Sequence, residues 1–161
     1  IRSLTREKPS IFCEKLCRLF ADCGIALVFL PHIGGSFLHG ATFYDGSKIV
    51  MGLTVRGKDA DRFWFSLFHE IAHIVLGHIG KAEGTTEQEE SAANEFAKET
   101  LIPTEEFELF IKKNDFSKNA MIRFARQIDV DTGILVGRLQ KERYIDYSWH
   151  NDLKTQYRIV H

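Results

Sequence analysis

Apolar residues follow two different spacings in the first third of the chain. From Pro9 to Cys23 they recur every three or four positions, which predicts an α-helix. The continuous apolar run from Ile25 to Leu30 predicts a buried strand. An Asp-Gly turn signal separates the segments Ala41 to Tyr44 and Lys48 to Val55, which predicts a β-hairpin.

Helical patterns fill most of the remaining chain. A helix that begins at Asp59 or Asp61 contains the segment FWFSLFHEIAHIVLGH, which is apolar on almost every face and is expected in the middle of the domain. Thr86 and Glu89 have capping-box spacing and predict a helix that ends before Pro103. Further helices are predicted at residues 104–112, 118–128 and 132–142. Together these elements predict one α+β domain over residues 1–161, with a small antiparallel sheet packed on the buried helix.

The charges nearly balance, because 21 Lys and Arg face 22 Asp and Glu in a chain of 161 residues. A net charge of −1 lacks the basic footprint of a nucleic-acid-binding domain, so nucleic acid is not expected as a partner of this fragment alone. No apolar run approaches the roughly 20 residues that cross a bilayer, and no signal-peptide pattern opens the chain. We therefore expect a cytoplasmic protein without a membrane partner.

Three cysteines lie close together, at Cys13, Cys17 and Cys23. An odd number is a poor disulfide framework and indicates a reducing compartment. We interpret them as small buried thiols on a helix face, although the spacing of Cys13 and Cys17 would also allow a metal pair. The chain begins at Ile1 rather than Met, which favours a piece of a longer protein.

The polar residues of the buried helix form an HExxH motif. His69 and His73 lie one turn apart on one helix face, with Cβ atoms about 5–6 Å apart, which suits two ligands of one Zn²⁺. Glu70 lies one position round from His69, so it does not ligate but can accept a proton from a water molecule at the metal. Burying these groups without partners would cost several kcal/mol, and a metal ion supplies the missing partner.

A catalytic zinc site needs a third protein ligand. The next helix carries glutamates at positions 87, 89, 90, 95 and 99, so composition alone does not choose among them. Glu90 lies one turn before Asn94, so a Glu90 ligand would bring the Asn94 amide against a ligand imidazole. We therefore predict Glu90 as the third ligand, with Glu89 as its nearest rival, and Asn94 as the residue that orients a histidine. The same donor set would also accept Mn²⁺.

Two functions of other classes stay open at this point. The domain would be a non-catalytic regulatory module if its zinc were structural, with a fourth ligand from a cysteine or from His78. On an ideal helix His78 points about 180° away from His69, so it is better explained as a residue at the helix C-terminus. Residues 118–143 also have helix-turn-helix spacing, although an ordinary helical hairpin fits their mixed charge better.

The segment FHEIAHIVLGH, followed by EESAANEFAKETLIP, resembles the ImmA/IrrE family of bacterial metallo-endopeptidases. The resemblance is specific over residues 60–103, and the flanking segments are similar to members fused behind a helix-turn-helix in HigA-like antitoxin proteins. Ala92 departs from the family, which often has an acidic residue there. The matching positions are His69 to His73, then Glu90, Ala93, Asn94, Phe96 and Ala97, then Leu101, Ile102 and Pro103.

This resemblance implies a zincin-like minimal metalloprotease core that cleaves a partner protein. It further implies that the substrate is a transcriptional repressor in a stress-response, mobile-element or toxin-antitoxin setting, and that a DNA-binding domain precedes this domain in the same polypeptide. Zincin-like enzymes place an edge strand before the metal helix, so Tyr44, Lys48 and Val50 are candidates for contact with an extended substrate. Candidates for the donor that stabilises the oxyanion are Tyr44, His39, Tyr144 and His150.

Overall fold

The computed structural model describes residues 1–30, 40–54, 59–81 and 83–157. Over this part of the chain the α+β fold class is confirmed, and each predicted helix is found. None of the described helices combines the length and the apolar character that crossing a membrane requires. The elements are, in chain order, α1 Pro9–Asp22, β1 Ile25–Leu30, β2 Gly40–Asp45, β3 Lys48–Thr54, α2 Ala60–Val75, α3 Glu87–Leu101, α4 Thr104–Lys112, α5 Lys118–Gln127 and α6 Thr132–Lys141, with 3₁₀ turns at Arg2–Arg6 and Asn151–Leu153.

The sheet is mixed, which corrects the antiparallel sheet predicted from the sequence. Its central strand is β3, which pairs antiparallel with β2 and parallel with β1. The hairpin of β2 and β3 is confirmed, with a turn at Gly46, whose φ of 60° suits a glycine, while Val55 lies outside the described residues. In the parallel pair of β1 and β3, Ile25 lies opposite Ile49, and the whole of β2 lies between these two strands in the sequence. A pairing between segments so far apart leaves no local signal in the sequence.

β1 is an outer strand, so the prediction of a buried strand was wrong. Val28 is 41% exposed and Leu30 is 39% exposed, whereas Ile25 on the opposite face is buried. Within the described residues β1 contacts α1 and pairs with β3 alone, and the face that carries Val28 and Leu30 stays open to solvent. The apolar composition of the run therefore did not indicate how many of its faces are covered.

The three cysteines are free thiols, and the prediction that they are buried was wrong for Cys17 and Cys23, which are exposed. α1 buries larger side chains instead, because Phe12, Leu16 and Phe20 recur four residues apart on the face that meets the core. None of the cysteines belongs to the metal-ligating cluster found among the described residues.

α2 runs through the centre of the domain and contacts β2, β3, α3 and α6. Trp64 and Leu67 on this helix are fully buried, and the Trp64 indole N–H donates to the Tyr157 hydroxyl over 2.9 Å. Burial raises the pKa of Tyr157 to about 12, so the hydroxyl stays neutral at physiological pH. This contact anchors the C-terminal segment on the helix that carries the HExxH motif.

The N-terminal end of α2 lies at the first of the two predicted positions, since Asp59 is the residue before the helix. Asp61, the alternative, instead accepts a hydrogen bond from Lys154 over 3.0 Å. α6 can approach this ion pair closely because position 137 is a glycine. A Cβ atom there would overlap an Asp61 carboxylate oxygen.

α6 packs into the core, and its Arg138 is committed to contacts within the domain. Arg138, on the helix that would read DNA, donates to the Glu142 carboxylate over 2.9 Å and to the Ile102 carbonyl over 2.6 Å. Its guanidinium also lies 3.8 Å from the centre of the Phe107 ring. Residues 118–143 thus form two helices that contact each other and contribute to the core, and a DNA-binding role for them stays a prediction. The buried residues of α6 are Gly133, Ile134, Leu135, Val136, Leu139 and Gln140.

Candidate metal centre

α2 presents both histidines of the HExxH motif to one cavity. They lie one helical turn apart, and the Nε2 atoms of His69 and His73 are 3.0 Å from each other. His73 is 5% exposed, and burial lowers its pKa, which favours a neutral imidazole with a lone pair free for a metal ion. The two rings thus face each other with their Nε2 atoms.

α3 brings Glu90 to the same point. One Glu90 carboxylate oxygen lies 3.2 Å from His69 Nε2 and the other lies 3.4 Å from His73 Nε2. Thr85 donates its hydroxyl hydrogen to Glu90 over 2.5 Å, which fixes the carboxylate from the loop that precedes α3. Glu90 rather than its neighbour therefore reaches the histidines.

Glu89, the rival ligand, is committed to other contacts. Its carboxylate accepts from the Thr86 backbone N–H over 2.9 Å, and Thr86 in turn accepts from the Glu89 N–H over 3.3 Å. This reciprocal pair is the capping box predicted at the start of α3. Hydrogen bonds from Lys81 and Thr86 lower the pKa of Glu89 to about 2, so its charge is held at the helix N-terminus.

The donor set fits a divalent metal ion. One ligand atom from each of His69, His73 and Glu90 lies within 4.8 Å of the other two. Two imidazole nitrogens with one carboxylate oxygen form a donor set typical of catalytic zinc sites. Without a cation, the lone pairs of these three groups would repel one another at short distance. A bound metal ion removes this repulsion.

The second ring nitrogen of each histidine, Nδ1, also contacts a polar side chain. The Nδ1 atom of His69 lies 3.1 Å from the Asn94 side-chain oxygen, where the one-turn spacing from Glu90 predicts it. The Nδ1 atom of His73 lies 3.2 Å from Nδ1 of His78. The expected orientation of His78 away from the site was wrong, because α2 ends at Val75 and the chain turns back before His78.

Glu70 lies beside the cluster and is 7% exposed. The Thr42 hydroxyl on β2 donates to its Oε2 atom over 2.5 Å. Burial raises the pKa of Glu70, and the Thr42 hydrogen bond and the neighbouring His69 act in the opposite direction. No motif in the sequence indicates Thr42; only its place in a strand next to the metal helix could have suggested it.

A cavity of about 690 Å³ exposes the cluster between β2, α2 and the loop before α3. In the sheet formed by the described residues, β2 is the outer strand at this cavity, whereas β3 is paired on both sides. Lys48 and Val50 lie on the central strand β3, and their contact with a substrate stays a prediction. Tyr44 does line the cavity, next to Gly80.

The other predicted oxyanion donors lie elsewhere or outside the described residues. Tyr144 packs against Phe107 with ring centres 5.8 Å apart, and His150 lies beside Trp149, so neither lines the cavity. His39 lies outside the described residues. Tyr44 is thus the predicted donor that the described structure places at the cavity.

Comparison with protein families matches residues 35–140 to the IrrE N-terminal-like domain, Peptidase_M78. The match covers about two-thirds of the 161 residues and includes the HExxH motif, Glu90 and Asn94. Comparison with curated proteins gives no match.

Proposed function

Because the chain belongs to the IrrE N-terminal-like family of M78 peptidases, we propose that it is a zinc-dependent endopeptidase that cleaves a partner protein. Family membership implies a metallopeptidase-like domain. The observation that best supports the proposal is the convergence of His69, His73 and Glu90 within 4.8 Å, with the buried Glu70 beside them. Mn²⁺ is the alternative metal, and elemental analysis of the purified protein distinguishes the two ions.

Each polar residue at the centre has a separate role in this proposal. His69 and His73 would hold the zinc ion through Nε2, and Glu90 would hold it through its carboxylate. When bound, zinc supplies Lewis acidity, which polarises a peptide carbonyl and makes a water molecule easier to deprotonate. Glu70 accepts the proton of the attacking water and passes it to the leaving amine. Thr42 holds one oxygen of Glu70, so the carboxylate keeps its direction during the transfer.

The substrate would lie along the outer edge of β2. Residues of β2 from Gly40 to Tyr44 line the cavity, and in the described part of the chain β2 pairs with a strand on one side only. An extended peptide can add to such an edge through backbone hydrogen bonds. Tyr44 is our candidate for the donor that stabilises the oxyanion in this arrangement.

The family resemblance supports a transcriptional repressor as the protein substrate, in a bacterial stress-response, mobile-element or toxin-antitoxin setting. We further propose that this domain works in the cytoplasm together with an upstream DNA-binding domain of the same polypeptide. An outer strand beside the metal centre is suited to an unfolded segment of a protein rather than to a small molecule.

The decisive experiment compares the wild type with Glu70→Gln. Both proteins, loaded with zinc, are incubated with the repressor encoded beside the gene, and fragments are identified by mass spectrometry. The wild type should cut the repressor at a defined bond, and the variant should be slower by about 10² to 10⁴-fold, because it lacks the proton acceptor. Zinc content should stay near one ion per chain in both.

Glu108→Gln is the matched control, since Glu108 is an exposed glutamate on α4 and does not line the cavity. It should cleave like the wild type. Cleavage by Glu70→Gln, or loss of its zinc, would contradict the role given to Glu70. A repressor that binds the zinc-loaded wild type and stays intact would instead favour the non-catalytic regulatory module.

A further inference from the structure

His78 contacts the ring nitrogen of His73 that faces away from the metal centre. The Nε2 atom of His73 lies 3.0 Å from His69 Nε2 and 3.4 Å from Glu90, whereas its Nδ1 atom lies 3.2 Å from Nδ1 of His78. The two rings meet at an interplanar angle of 63° with centres 5.3 Å apart. His73 therefore has a different partner at each ring nitrogen.

The backbone after α2 places His78 in this position. The Gly77 N–H donates to the Ile74 carbonyl over 3.2 Å, and the His78 N–H donates to the His73 carbonyl over 2.8 Å. Together with a φ of 71° at Gly77, these two bonds form a Schellman motif, which reverses the chain at a helix end. The motif sets His78 against the helix residue five positions before it, so the contact is built by the main chain.

We propose that His78 is a positioning residue that accepts the Nδ1 hydrogen of His73 and thereby keeps the Nε2 lone pair of His73 directed at the metal centre. This inference rests on the proposed metal site. A neutral imidazole carries one N–H, so a hydrogen on Nδ1 leaves Nε2 free to ligate. A hydrogen bond between the two facing Nδ1 atoms needs one hydrogen, which must belong to His73 if Nε2 of His73 is to bind a metal ion. His78 then carries its own hydrogen on Nε2.

The same arrangement occurs on the other histidine of the motif. Asn94 lies 3.1 Å from Nδ1 of His69, and its carboxamide oxygen can only accept. Each ligand imidazole thus has one acceptor behind it, and the two acceptors come from different segments, α3 and the turn after α2. Such outer contacts fix the tautomer and orientation of a ligand histidine, and their loss weakens metal binding about 10–100-fold.

Zinc affinity of three proteins tests this role. We would measure the Zn²⁺ dissociation constant of the wild type, His78→Leu and His78→Gln by competition with a chromophoric chelator at pH 7.5. His78→Leu removes the acceptor and should bind zinc about 10–100-fold more weakly. His78→Gln restores an acceptor oxygen and should recover most of that loss. His150→Asn removes a histidine outside the cavity and should leave the affinity unchanged.

A spectroscopic measurement on the wild type does not depend on any variant. Long-range ¹H–¹⁵N correlation spectra of protein labelled with [¹⁵N]histidine report which ring nitrogen carries the hydrogen. We expect His73 as the Nδ1–H tautomer and His78 as the Nε2–H tautomer, both with zinc and in EDTA. For the affinity experiment, thermal melts in EDTA show whether each His78 variant is folded.

Three results would overturn the role of His78: an unchanged zinc affinity in folded His78→Leu, an Nε2–H tautomer of His73, or a third imidazole in the zinc X-ray absorption spectrum. The last result would make His78 a ligand. A wild type that takes up no zinc would contradict the proposed function itself, and the tautomers in EDTA would then still decide whether His78 accepts from His73.

Discussion

Gly40 makes room for the side chain of Glu70. A Cβ atom at position 40 would lie 2.7 Å from both Cγ and Oε1 of Glu70, well inside contact distance. The carboxylate cannot simply rotate away, because Thr42 holds its Oε2 atom over 2.5 Å. A glycine at the start of β2 is thus a condition for the position of Glu70, the proposed proton acceptor.

Gly40→Ala should therefore slow cleavage and leave zinc binding unchanged. Displacement of a catalytic group by about 1 Å can cost about 10²-fold in rate, so we expect kcat to fall by one to two orders of magnitude. Zinc content should stay at one ion per chain, because the three atoms nearest to the added Cβ all belong to Glu70, which is not a proposed ligand. Gly52→Ala is the control: its nearest neighbour is a methyl group of Leu30 at 3.1 Å, away from Glu70. Equal kcat for both variants would contradict this steric role.

At the residue scale, the sequence predicts the centre of the site better than its surroundings. Glu90 follows from its one-turn spacing to Asn94, and the capping box already commits Glu89 to Thr86. The contacts of Thr42 and His78 could not be predicted in this way. One depends on which strand faces α2, and the other depends on a helix end that the HExxH pattern does not mark.

At the scale of elements, α3 and α4 are joined by a glutamate that caps the second helix. Pro103 precedes α4 and makes no side-chain cap, but Glu99 on α3 accepts from the Thr104 hydroxyl over 2.6 Å and from the Thr104 backbone N–H over 3.0 Å. These hydrogen bonds lower the pKa of Glu99. The charged carboxylate therefore supports the start of α4.

This contact predicts a stability that depends on pH. Because the pKa of Glu99 is lowered in the folded state, its contribution is complete above the unfolded value near 4.5 and is lost as the pH falls through the folded value. Since Glu99 is exposed, we expect Glu99→Gln to lower the free energy of unfolding by only about 0.5 kcal/mol at pH 7, and by less at pH 3. Urea denaturation from pH 7 to pH 3 measures the difference.

Thr104→Val provides the control for Glu99→Gln, because it removes the hydroxyl donor from the other side of the same contact. It should reduce the pH dependence in the same range, and the double variant should add little to either change. A difference between wild type and Glu99→Gln that stays constant from pH 7 to pH 3 would show that Glu99 does not act through its charge.

The elements themselves show where local patterns stop being informative. Helices α3 to α6 are predicted closely because caps, prolines and periodic apolar residues lie next to one another in the sequence. The parallel pairing of β1 with β3 is different, since it joins residues 24 positions apart, such as Ile25 and Ile49. The choice of this neighbour depends on the whole sheet, so a hairpin signal can predict β2 with β3 but not the place of β1.

At the scale of the molecule, the metal centre joins the two helices on which the cavity is built. Two of the proposed ligands, His69 and His73, lie on α2, and Glu90 lies on α3, with a loop of 11 residues between the helices. An ion that binds all three stabilises the folded state only, because the unfolded chain does not hold the ligands together. Metal binding should therefore appear as stability of the whole domain.

Zinc at 100 times its dissociation constant should stabilise the wild type by about 2.7 kcal/mol, which raises the melting temperature by about 5–11 °C in a domain of this size. Calorimetry with zinc and with EDTA measures this increment. Glu90→Gln should lose most of it, because a carboxylate ligand is missing. Glu89→Gln should keep the increment while melting lower in both conditions, because it loses the ion pair with Lys81. The opposite result would make Glu89 the third ligand.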